Sequence, residues 1–120
     1  MPFDGATLDV RGLLMLARDE INTPRRWCKY QLYHDSGRRC LIGAILHSAG
    51  VPNEVAPVPA VARDAIGAVW HMIEREYPRF AGRYYASPED LPSYVGLFND
   101  RGTTKHKDII HVLDCAIGRP

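Results

Sequence analysis

No stretch of this sequence is both long and apolar. The longest apolar runs, Leu13 to Ala17 and Leu41 to Leu46, fall far short of the roughly 20 residues a spanning helix needs. Charge of one sign is missing too. Fifteen Lys and Arg oppose 14 Asp and Glu, so there is no global footprint for nucleic acid or a membrane surface, and neither is the expected partner. Cysteine is scarce and odd in number, three in all, which argues against a disulfide framework. The opening Met1-Pro2-Phe3-Asp4 has neither the basic nor the apolar region of a signal peptide, and a cytoplasmic location is expected. No Walker or dinucleotide glycine pattern occurs, so no nucleotide cofactor is expected. No internal repeat or low-complexity tract interrupts the chain.

What is present describes one globular domain over residues 1–120. A hydrophobic content of 46% with 24% charged residues is that of a folded protein rather than a disordered one. A chain of this length buries about two-thirds of the surface its unfolded form exposes.

Helical periodicity predicts a first helix over 8–21, with Leu13, Leu16, Ala17 and Ile21 on one side and Thr7 as its cap, stopped by Asn22-Thr23-Pro24. The segment Trp27-Cys28-Lys29-Tyr30-Gln31-Leu32-Tyr33 is aromatic and partly alternating. With turn chemistry at Asp35-Ser36-Gly37, it predicts a short hairpin returning through Arg38 to Leu41. Gly43 to Leu46 then reads as helix, ended by Gly50, and Val55 to Pro59 as an extended linker. A third helix is predicted from Pro59 to Glu76, with Ala62, Ala65, Ile66, Val69 and Ile73 as its apolar stripe and Pro78 as its stop. Residues 79–92 are irregular, with one turn of helix at Pro88 to Leu91, and Ser93 to Phe98 is ambiguous between helix and strand. A last helix runs from Thr103-Thr104 to Ile117. The expected class is therefore α+β, predominantly helical, with about four helices and one short β-hairpin.

Cys40 stands where the hairpin meets the second helix. A thiol in a first helical turn feels the positive end of the helix dipole, which lowers its pKa. Cysteine catalysis needs a histidine in contact with the thiolate and a group to orient it. The chain offers His106, with Asn99 or Asp100 just before it. His47 is excluded as the direct base, because seven residues of helix separate it from Cys40 by about 10.5 Å. Competing with catalysis is packing: cysteine is a small, usually buried residue, and Gly43 and Ala44 on the same side would admit a helix or a loop backbone.

Three other groupings have a double reading. Asn99-Asp100-Arg101-Gly102-Thr103-Thr104 reads as a turn and cap, or as an anion site where free N–H groups are joined by Arg101 and Lys105. Arg25-Arg26 and Arg38-Arg39 flank the predicted hairpin and can share one face as a small basic patch, or stand as solvated strand ends. Trp27, Tyr30, Tyr33, Tyr84, Tyr85, Tyr94 and Phe98 can line a groove or complete the core. The spacing Cys28-x5-His34-x5-Cys40 matches no zinc pattern, and no metal ligands are assigned. Cys115 sits in an apolar helical pattern as a small core residue, and His111 on a solvated face.

Together, Trp27, the Asp-x-Gly turn, Cys40-x-x-Gly43-Ala44 and Asn99-Asp100 ahead of a threonine-capped helix resemble a family of small uncharacterised bacterial and phage-encoded proteins. It is a domain of unknown function frequent in actinobacterial sequences. A tryptophan commonly precedes the Asn-Asp pair there, where this chain has Phe98. The resemblance implies a shared fold and implies no activity, substrate or catalytic residue.

The expected function is that of a cytoplasmic binding protein, in a phage or mobile-element setting, for a macromolecular partner or a small anionic ligand. Its candidate contacts are Trp27, Arg38, Arg39, Asn99, Asp100, Arg101 and Thr103. The alternative is a thiol-dependent hydrolase or transferase using Cys40, His106 and Asn99 or Asp100. Nucleic-acid binding through Arg25, Arg26, Arg38 and Arg39 is a third class, marked by steep salt dependence.

Overall fold

A computed structural model describes residues 9–52, 56–84 and 87–118. Over these residues the chain forms six α-helices and no strand: α1 Val10–Glu20, α2 Leu41–Ser48, α3 Ala60–Glu76, α4 Pro78–Ala81, α5 Leu91–Asp100 and α6 His106–Ile117. The expected α+β class with four helices and a hairpin is thereby corrected to an all-helical one.

The long helices form where periodicity and capping agree. Asp9 caps α1 by accepting the Gly12 N–H at 2.7 Å, and Leu13, Leu14 and Ala17 turn inward from it. The expected cap Thr7 lies outside the described residues. In α3 the buried positions Ala62, Ala65, Ile66, Val69, Trp70 and Ile73 follow one helical stripe. Asp108 closes the start of α6 by accepting the Lys105 N–H at 2.8 Å, and Gly118 ends it in the left-handed region at φ 94°.

α2 is different in kind. Leu41 to Leu46 are all buried, so this short helix is apolar all round and forms the middle of the core, with α1 and α5 against it. α1 also packs on α3 and α6, and α3 on α5 and α6.

Two helices were not expected. Pro78 stops α3 and at once opens α4, because proline suits a first helical position, where its missing N–H is no loss. Ser93 to Phe98, ambiguous from sequence, lies within α5, and Phe98 is fully buried from it.

The predicted hairpin is an irregular loop with two isolated bridges, Trp27 to Arg39 and Tyr33 to Arg39. Two physical causes prevent a ladder. Tyr30 takes φ 71°, a left-handed conformation that interrupts an extended run. The Cys28 N–H still crosses to the Arg39 carbonyl at 3.1 Å, but beyond it two backbone groups go to α5 side chains instead of a partner strand. Asn99 Nδ2 donates to the Cys28 carbonyl at 3.1 Å, and the Tyr30 N–H donates to Asp100 Oδ1 at 2.8 Å.

Candidate functional site

Asn99 organises the neighbourhood singled out in the sequence. It is fully buried, and its amide uses its whole hydrogen-bonding capacity. Oδ1 accepts Trp27 Nε1–H at 2.7 Å and the Leu41 N–H at 3.0 Å. Nδ2 donates to the Cys28 carbonyl and, at 2.9 Å, to Asp100 Oδ1. The bond to Leu41 caps α2 from a distant part of the chain, filling one of the donors a helix start leaves unpaired.

Cys40 is the N-cap of α2, its sulfur accepting the Gly43 N–H at 3.3 Å. Only 5% of the residue is exposed. Burial outweighs the dipole and hydrogen bonds and pushes the thiol up to about 11, opposite to the lowering expected at a helix start. His106 Nε2 lies 2.6 Å from the Ile21 carbonyl. A carbonyl only accepts, so Nε2 carries the proton and acts as the donor. The ring leans on Trp27, centroids 6.0 Å apart. Trp27 and Asn99 thus meet the start of α2, while His106 is held by α1's end, and no observation favours a thiolate–imidazole pair.

Gly43 shows why the second helix carries small residues. A Cβ there would overlap the Leu32 carbonyl oxygen, so the loop backbone lies directly on α2. The same loop bounds an apolar pocket of about 380 Å³, lined among others by Tyr30, Leu32, Ile42, Leu46, Pro92 and Asp100. Tyr30 stands 74% exposed at its edge.

The anion reading of the α6 start loses its components. Arg101 lies over the rings of Tyr77, Phe80 and Phe98 at 5.2–5.6 Å and donates from Nε to Thr104 Oγ1 at 3.0 Å. Asp108 already occupies the helix start, and Thr103 is exposed and separate. The aromatic residues divide similarly. Trp70, Phe80, Tyr84, Tyr94 and Phe98 contact one another in and around the core, whereas Tyr85 lies outside the described residues. Cys28 and Cys40 are free thiols, and His34 turns to Ser36 through Nδ1. Cys115 is half-buried on α6, not in the core.

The arginines come together. Arg25, Arg26, Arg38 and Arg39 line one pocket of about 350 Å³ with Ser36, Gly37 and Glu20. Arg39 is fixed: it donates to the Gly37 carbonyl at 3.1 Å, approaches Glu20 at 3.6 Å and lies over Tyr33. Arg25, Arg26 and Arg38 are exposed, and their guanidinium groups make no hydrogen bond or ion pair with described residues.

Fold and surface define a small helical protein with a pocket lined by four arginines, and no helix among the described residues is long and apolar enough to cross a membrane. The chain belongs to a family of unknown function, DUF6197, whose model matches residues 6–119. No curated protein and no solved structure matches it.

Proposed function

We propose that this is a binding protein for a small anionic ligand, held in the pocket of Arg25, Arg26, Arg38 and Arg39. The observation that supports it is a charge imbalance in one pocket: four arginines line it with a single acidic residue, Glu20. That carboxylate is itself shared between Arg39 and His47. Arginine's planar fork suits phosphate and carboxylate groups, and the volume is at the small end of ligand sites. Arg39 supplies the fixed wall and the three unpaired arginines the contacts. Three free thiols support a reducing cytoplasmic setting.

Isothermal titration with inorganic pyrophosphate tests this. Saturable binding, weakened when the exposed Arg26 and Arg38 are both replaced by alanine, is the expected result. Absence of heat from the wild type, or unchanged binding by the double variant, overturns it. Binding seen only with oligonucleotides, and falling steeply with salt, marks nucleic acid as the ligand instead.

A further inference from the structure

A second cluster lies away from that pocket, where the end of α3 meets α6. Glu76 is the last residue of α3, and His111 and Cys115 stand four apart on α6, a spacing that places both on one helix face. Their ligand atoms all lie within 4.8 Å of one another. One atom faces both others: His111 Nε2 is 2.7 Å from Glu76 Oε1 and 3.7 Å from Cys115 Sγ.

We infer that Glu76, His111 and Cys115 form a binding site for a zinc-class divalent cation, with a fourth position open to solvent. A carboxylate, an imidazole and a thiolate are the donor set of such ions, bound at roughly 2.0–2.3 Å in tetrahedral geometry. Tetrahedral bonds of that length put neighbouring donor atoms roughly 3.3–3.6 Å apart. The nitrogen–sulfur pair, at 3.7 Å, has to close only slightly. The nitrogen–oxygen pair has to open slightly, and neither side chain is held in a core: 49% of His111 and 27% of Glu76 is exposed. Arg75 lies 3.2 Å from the other carboxylate oxygen, Oε2, which leaves Oε1 for the ion.

Without metal, Nε2–H donates to Glu76 and the thiol keeps its proton. On binding, the imidazole proton moves to Nδ1 through solvent, leaving the Nε2 lone pair for the cation, and the thiol proton is released to solvent as the sulfur–metal bond forms. The ion ties the C-terminal end of α3 to α6. Three protein ligands with a solvent-facing fourth are the arrangement of open zinc sites rather than closed structural ones.

Titration with Co²⁺ in place of zinc reads this directly. One equivalent is expected to bind and give thiolate-to-cobalt charge-transfer absorption, displaced by Zn²⁺. Cys115→Ala is expected to abolish that absorption, and His111→Ala to weaken binding by more than the roughly 10–100-fold that loss of an outer-shell partner costs. Cys28→Ala is expected to leave both unchanged. Absorption that survives Cys115→Ala, or is lost with Cys28→Ala, or never appears in the wild type, overturns the site. Cys115 is partly exposed, and a circular dichroism melt of each variant confirms that it folds. Loss of pyrophosphate binding has no bearing on this result, since none of the three residues lines the arginine pocket.

Discussion

The indole of Trp27 donates to the Asn99 side chain at 2.7 Å across 72 residues of sequence. Through that amide it is tied to the first N–H of α2 and to the Cys28 carbonyl. One side chain therefore holds a loop, a helix start and the end of α5 together.

Replacing Asn99 by alanine leaves the indole, the Leu41 N–H and the Cys28 carbonyl unpaired. A loss of about 2–4 kcal/mol is expected from urea denaturation. Asn99→Asp removes the two donors and sets a carboxylate beside Asp100. Burial and that neighbour raise the folded pKa of the introduced group, so its cost is small at low pH. The cost grows as pH rises through the unfolded value of about 3.9. A pH series of melts that showed the opposite slope would contradict this placement.

Gly43→Ala forces the Leu32 carbonyl off α2. The expected cost is about 1–3 kcal/mol, the range of overpacking. Gly50→Ala is the contrast: its Cβ meets open space, and only the φ of 83° is strained, which costs roughly 1–2 kcal/mol. Native pocket geometry around Leu32, read by the fluorescence of a probe bound there, is expected to change with the first substitution and not the second.

Cys40 is expected to be the slowest of the three thiols to alkylate in the native state, since it is buried and titrates near 11. Its folded pKa lies above the unfolded one, so the folded protein holds the proton more tightly. The resulting stability is fully present below about pH 8.5 and is lost as pH rises toward 11. The loss is about 3 kcal/mol on the usual conversion. Cys40→Ala flattens this decline if the assignment is right. The same slope in the variant assigns it elsewhere: burial also raises Cys28, Cys115 and, together with Asp108, Tyr77.

Arg18 and Asp114 join α1 to α6 through two contacts, at 2.6 and 3.3 Å. A quarter of each side chain is exposed, so solvent screens the pair. Arg18→Ala is expected to cost about 1 kcal/mol, with the difference from wild type shrinking as salt is added. A salt-independent cost would point to lost packing of the arginine stem instead.

Helices α1 and α3 were legible because a one-sided apolar stripe coincides with a stop, and α6 by its stripe alone, since Lys105 and Asp108 rather than Thr103 or Thr104 form its cap. The hairpin was not, because its competitor lies far away: nothing between Trp27 and Leu41 announces that Asn99 and Asp100 take the backbone groups a second strand needs. Pro78 stops α3 as its chemistry predicts, yet the same residue also starts a helix. In the site, the arginine pairs stood out by flanking one turn, and the structure places all four in a single pocket. Arg101 could not be distinguished from a ligand-binding arginine until the rings beneath it were seen. The apolar pattern of α6 reads Cys115 as a core residue and His111 as solvated, and only the packing of α3 against α6 brings Glu76 beside them.

The contacts made by Asn99 also order the assembly of the molecule in time. Its bonds to Leu41, Cys28 and Trp27 span 58, 71 and 72 residues, so the loop is fastened only once α5 has docked on α2. Contacts of such separation form after the loop-closure entropy has been overcome. The arginine pocket is then expected to mature late and to open early. Amide exchange at Cys28 and Arg39, whose N–H groups bridge the loop to itself, is expected to outpace exchange in α2 and to report how often the pocket comes undone.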